Sequence, residues 1–125
     1  SSDREAVALR IAEGLGIAAS RCARSGREGL AREVVGFLER SLASSGTTEW
    51  TAALLLGLGN AGSRESFALV SGHAVDPEPA LRAAAATALR KMERAKALPL
   101  LTRLALEDPS DEVRDAAARA FEQLE

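Results

Sequence analysis

The chain has 125 residues, 46% of them hydrophobic and 27% charged, with a formal net charge of −2. That balance fits one soluble, folded domain over residues 1–125 and excludes a disordered chain; the slightly acidic total supplies no general basic field for nucleic acid. Aromatic residues make up only 3%, while Ala, Leu, Arg and Glu dominate, a usage that favours helix over sheet.

Seven helices are predicted. The first runs roughly from Arg4 to Cys22 and the second from Arg27 to Ser44, with Ser25-Gly26 and Ser44-Ser45-Gly46-Thr47 as punctuation. The third carries Trp50, Ala53, Leu54, Gly57, Leu58 and Ala61, whose spacing is that of one α-helical face. A shorter apolar segment, Ser66 to Val75, stops before Asp76-Pro77, because the residue preceding proline avoids the α region. The fifth helix repeats the third's spacing with Leu81, Ala84, Ala85, Ala88, Leu89 and Met92. The sixth, Leu98 to Leu106, again ends before Asp-Pro, and its Pro99 is tolerated in a first turn but kinks the helix elsewhere. The seventh carries Val113, Ala116, Ala117, Ala120, Phe121 and Leu124.

The last two long helices are copies of one unit. Asp76 to Glu93 aligns with Asp108 to Glu125 without a gap at an offset of 32, and Asp76, Pro77, Arg82, Ala84, Ala85, Ala86 and Ala88 recur identically. The third helix is a more divergent copy at an offset of 31. Large residues at the ends of each stripe and small ones between let neighbouring backbones approach to roughly 8 Å, which is the logic of stacking. The fold class expected is therefore all-α: an α-α superhelix, a solenoid of about seven helices in three and a half hairpins. Ala85→Leu and Ala117→Leu, mid-stripe, are both expected to overpack it. Arg82 and Arg114, one per repeat, are expected to bond a neighbouring Asp or loop carbonyl and form a ladder between repeats.

The DP-x-x-x-[LV]-R-x-A-A-A-x-A-[LF] pattern at Asp76 and Asp108 resembles the HEAT repeat, especially its short bacterial form, and the likeness extends over residues 47–125. It implies a HEAT/armadillo-like solenoid. A narrower resemblance rests on Leu58-Gly59-Asn60-Ala61-Gly62, the two helices around Cys22 before it, and the E-V-R-D-A-A run at Glu112 to Ala117. These are similar to the helical domain of the vitellogenin family of large lipid transfer proteins. That family has a second cysteine shortly after the one matching Cys22, whereas Ala23 to Leu30 contains none, so lipid binding is not carried over.

Residues able to carry chemistry are few. His73 is the only histidine, and the nearest acids in sequence, Asp76 and Glu78, lie across a proline-containing turn from it. One His makes no conventional zinc site without several carboxylates. Cys22 lies near Arg21 and Arg24, which favour thiolate, but no base accompanies it; small-residue packing is the expected role, and a single cysteine excludes an intrachain disulfide. Trp50, the sole tryptophan, stands at the large end of the core stripe and is expected to pack there. Gly57-x-Gly59-x-x-Gly62 spells the dinucleotide fingerprint, but no strand precedes it, and the glycines read as a helix stop. Arg90, Lys91, Arg94 and Lys96 gather after the fifth helix, a possible anion patch that also suits a helix C-terminus.

The function expected from these features is a non-catalytic scaffold that presents a surface to a protein partner, with no enzyme activity and no cofactor. The second helices are the expected surface: residues 38–42, 69–73 and 101–105, with Leu69, His73, Leu101 and Ala105 as its contacts. A helical layer of a lipid-handling protein is the alternative, to be favoured by an apolar concave face. A nucleic-acid-binding protein, to be favoured by a continuous basic stripe, is disfavoured by the charge and the few aromatics for base stacking. No apolar run has transmembrane length, no signal-peptide pattern opens the chain, and the compartment is left open. The chain opens on Ser1 and ends inside a helical pattern, the expectation for a module of a longer chain, or for self-association through the C-terminal helix.

Overall fold

The structure, a computed structural model, describes residues 2–124. Among these lie α1 (Ser2–Arg24), α2 (Glu28–Ala43), α3 (Thr48–Ala61), α4 (Phe67–Gly72), α5 (Pro79–Leu89), α6 (Arg94–Glu107) and α7 (Asp111–Glu122). Short 3-10 turns, Arg64–Ser66 and His73–Val75, bracket α4. The fold is all-α, as the periodicity implies.

Local chemistry sets the ends of these helices. Thr47 caps α3 by accepting the Trp50 N–H at 3.1 Å, and Ser110 caps α7 by accepting that of Val113 at 3.5 Å. Pro79 opens α5 at a position where its missing N–H costs nothing. The Asp-Pro aspartates cap turns rather than helices: Asp76 accepts from Glu78 N–H at 2.9 Å and Asp108 from Ser110 N–H at 3.0 Å. The sixth helix starts earlier than its apolar pattern does, at Arg94, which leaves Pro99 inside it rather than in the first turn. Proline has no N–H for the carbonyl of Ala95, and that residue is exposed to water.

The first helices of successive hairpins stack in one layer, α1 on α3, α3 on α5 and α5 on α7. The second helices α2, α4 and α6 form the other layer, with α2 against both α1 and α3, and α6 leaning mainly on α7. The core between them holds fully buried Leu38, Leu54, Leu55, Leu58, Leu89 and Leu101. Ala85 and Ala117 are both 0% exposed, so Leu at either position is expected to cost about 1–3 kcal/mol, read as a lower urea midpoint. An unchanged midpoint for both would contradict this packing.

Small residues bring the first layer into backbone contact. A Cβ added at Gly57 would lie 2.5 Å from the Ala12 carbonyl oxygen, and one at Gly59 would lie 2.5 Å from the Ala88 Cα. A Cβ at Gly16 would fall onto the Gly57 carbonyl. Of the Gly57-x-Gly59-x-x-Gly62 set, only Gly62 is the helix stop, with φ +67° and its N–H donated to the Leu58 and Gly59 carbonyls. The other two are interior positions that set helix spacing.

Of the expected arginine ladder one inter-repeat rung forms, from Arg82 to Asp108. Arg82 donates from Nε to Asp108 Oδ2 at 3.0 Å and from Nη2 to Oδ1 at 3.2 Å, while Nη1 holds the Asp76 carbonyl at 2.9 Å. Arg114 repeats the local half by donating to the Asp108 carbonyl at 2.6 Å, and its other nitrogen bonds Asp111. One repeat earlier only the local half has a counterpart: Thr51, at the register of Arg82, donates to the Oγ of Ser45, at the register of Asp76, at 2.7 Å.

Candidate interaction surface

The second-layer helices carry most of the residues expected to meet a partner, but not all of them are accessible. Leu69 is exposed, His73 is half-buried and Ala105 is half-buried. Leu101 is 0% exposed, and Leu38 and Leu42 are buried as well, so these three belong to the core and not to the surface. The cause is amphipathicity: on α2 the residues Ala31, Val35, Leu38 and Leu42 share the inward face. The opposite face exposes Leu30 and Phe37, the latter 51%. Sequence reasoning passed over both, although their offset from the Val35-Leu38-Leu42 stripe is the signal that finds them. Val75 and Leu106 are exposed in the same way on the later hairpins.

His73 sits in the 3-10 turn after α4, not within that helix. The turn brings its Nδ1 to 3.4 Å from Asp76 Oδ2, off the hydrogen-bonding direction, so the buried nitrogen has no hydrogen-bond partner. The proline turn therefore does not separate this histidine from Asp76. Cys22 is half-buried at the end of α1. Trp50 is only partly buried, and borders a shallow cleft with Val7, Ala8 and Ile11 rather than filling the centre of the core. Among the described residues no group of three His, Cys, Asp or Glu is placed to hold a metal ion, and no helix is long and apolar enough to cross a membrane.

The four cations after α5 do not act as one patch. Arg90 turns inward, donating to the Thr87 carbonyl at 2.8 Å and to Asn60 Oδ1 at 3.4 Å. Lys96 lies 3.7 Å from Glu93 Oε2 and 5.7 Å from the Phe67 ring centroid, within cation–π range. Lys91 and Arg94 remain exposed.

A cleft of about 480 Å³ opens between the end of α1, the start of α2 and the α3–α4 turn. Its walls mix Ala19, Ala31 and Val35 with Glu28, Arg32 and Glu39. Glu39 is held in place by the Ser66 hydroxyl, which donates to Oε2 at 3.0 Å. A lining of both charge signs over a small apolar floor suits a peptide-like surface more than a hydrocarbon chain.

The sequence model of HEAT repeats matches residues 35–122, more than half of the chain, from the middle of α2 to the end of α7. The chain belongs to the HEAT-repeat family. HEAT repeats generally serve as protein-interaction scaffolds, and the family is typically non-catalytic. Neither a curated protein nor a solved structure shows significant similarity to the chain. Within the HEAT array, the inner first helices α3 and α5 expose no large apolar side chain, whereas each hairpin's second half does.

Proposed function

We propose that the chain is a non-catalytic scaffold whose second-helix layer docks a protein segment. The observation that carries this reading is the distribution of exposed apolar side chains. Leu30 and Phe37 stand on α2, Leu69 on α4, Val75 just after it and Leu106 on α6. Scattered apolar residues are normal on any surface; here they recur on successive second helices, while the inner first helices α3 and α5 expose no large one. Leu69, His73 and Ala105 remain in the proposed surface, and Phe37 and Leu106 join it. The mixed charges of the neighbouring cleft support a protein segment over an apolar lipid layer.

The test is capture of a partner from the native source by wild type and by a Phe37→Glu/Leu69→Glu variant. Both positions are exposed, so the variant is expected to unfold at the wild-type urea midpoint while losing the captured protein at least tenfold. Equal capture by both proteins at equal stability would overturn this surface.

A further inference from the structure

The two ends of the first-helix stack carry opposite charge at matching spacing. On α1 the buried Ala12 and Gly16 face α3, and the opposite stripe is Arg10, Gly14, Ile17 and Arg21, every member exposed. Val7 and Ile11 extend and flank it, 47% and 54% exposed. On α7 the buried Ala116 and Ala120 lie towards α5, and the opposite stripe is Asp111, Asp115, Ala118 and Glu122, again exposed throughout. Both stripes advance by four, three and four residues. Set parallel, they place Arg10 against Asp111 and Arg21 against Glu122, with Ile17 on Ala118 between.

The α7 stripe is also the register at which this array stacks. At the offset of 32, its Asp115 and Ala118 correspond to Ala83 and Ala86 of α5, which lie on the side away from α3 and are 8% and 0% exposed under the next repeat. A first-type helix fits that side of α5, and α7 offers the same side with acids added. Gly14 meets nothing within 4 Å, so α1 can be approached as closely as Gly57 and Gly59 allow inside the array. Asp111 is already bonded by Arg114, but its side chain is 89% exposed and one oxygen remains open to Arg10.

From this complementarity we propose that the chain associates head to tail with a second copy of itself, the α1 stripe of one copy stacking on the α7 stripe of the next. The contact is heterologous: each copy keeps one free face of each kind, so assembly continues past a dimer instead of closing. The ion pairs at its two ends are exposed, so the association weakens as salt rises. This deepens the scaffold reading, giving it a repeating array of docking surfaces, and rests on that reading only for its purpose. It uses neither Phe37 nor Leu69, although Ala118 and Glu122 share a cleft with Ala105 and Leu106 at the edge of the second-helix surface.

The experiment is light scattering of the full chain over a concentration series, with Ile17→Glu to block the α1 face and Ala118→Glu to block the α7 face. Wild type is expected to rise in mass beyond a dimer at millimolar concentration, and each variant alone to keep the single-chain mass. An equimolar mixture of the two variants retains one intact pair of faces and is expected to level at twice that mass. Should either variant fail to fold by circular dichroism, Arg21→Glu and Glu122→Arg replace them, each weakening association and the double variant restoring it. A wild type that stays single at millimolar concentration overturns the proposal, as does Ile17→Glu association equal to wild type. Either variant dimerising on its own would mean that like faces pair, and a mixture without dimers would mean that the α1 and α7 faces do not meet; each result overturns the head-to-tail arrangement. Phe37→Glu leaves association unchanged in either case, so failure here is distinct from failure of the second-helix surface.

Discussion

Gly57→Ala is expected to destabilise the fold by about 2–3 kcal/mol, the upper part of the overpacking range. In an ordinary helix the same change stabilises by up to about 1 kcal/mol, because alanine has less backbone entropy to lose. What reverses the sign is the neighbour. The new Cβ would sit 2.5 Å from the Ala12 carbonyl oxygen and 3.1 Å from its carbon, both backbone atoms that no rotamer change can move. The helices must separate, and separation also strains the Asn60 Nδ2 bond to the Glu13 carbonyl, 3.4 Å long, and the seat of Gly16. Gly36→Ala is the control. Its Cβ meets only the Arg40 Nη1 at 3.1 Å, the free end of an exposed side chain, so it is expected to raise stability by about 0.5–1 kcal/mol. Urea midpoints of the two variants should move in opposite directions. A Gly57→Ala midpoint at or above wild type would be incompatible with the α1–α3 contact.

These glycines mark where the sequence is legible and where it is not. The repeat of Asp76 to Glu93 at Asp108 to Glu125 contains the stacking rule, since a stripe with alanines at its centre has one economical partner, another such stripe. Arg82 was readable for the same reason: a cation recurring at one register of an otherwise apolar unit needs an acceptor at the repeat's own spacing. Gly57 and Gly59 were harder, because a glycine near a helix end suits both a stop and a close crossing; the positive φ at Gly62 alone separates them. The candidate surface was legible only in outline. Leu69 and Leu101 are both leucines in what reads as short apolar segments, and the face each turns outward depends on where α4 and α6 begin and how they lean. The lean of α6 towards α7 buries Leu101 and leaves Leu106 in water. The i, i+4, i+7 spacing of Ala97, Leu101 and Leu104 marks that inward face once the helix is known to start at Arg94.

The other large effect expected is at Asp108, the acceptor of the ladder. Burial acts to raise this carboxyl, but the Arg82 hydrogen bond, the Ser110 N–H and the charges of Arg82 and Arg114 outweigh it and hold the group below the ordinary carboxylate value. Arg82 is correspondingly raised, chiefly by its bond to Asp108. Asp108→Ala removes two charge-assisted bonds and a turn cap at once, and is expected to cost about 2–3 kcal/mol at neutral pH. The sign of the pH dependence follows from the depressed folded-state value. The unfolded aspartate titrates near about 3.9, so the stabilisation is fully present above that pH and is lost as pH falls through the lower folded value. Wild type and Asp108→Asn should therefore differ most at neutral pH and draw together in acid. Asp111→Asn is the comparison: its carboxylate also bonds an arginine, but it is 89% exposed, and solvent screening leaves such a pair little effect on stability. Urea unfolding of the three proteins across the acid range measures both differences. An Asp108→Asn deficit that persists undiminished in acid would mean that the residue acts through packing rather than charge, and that the repeats are not joined by this ion pair.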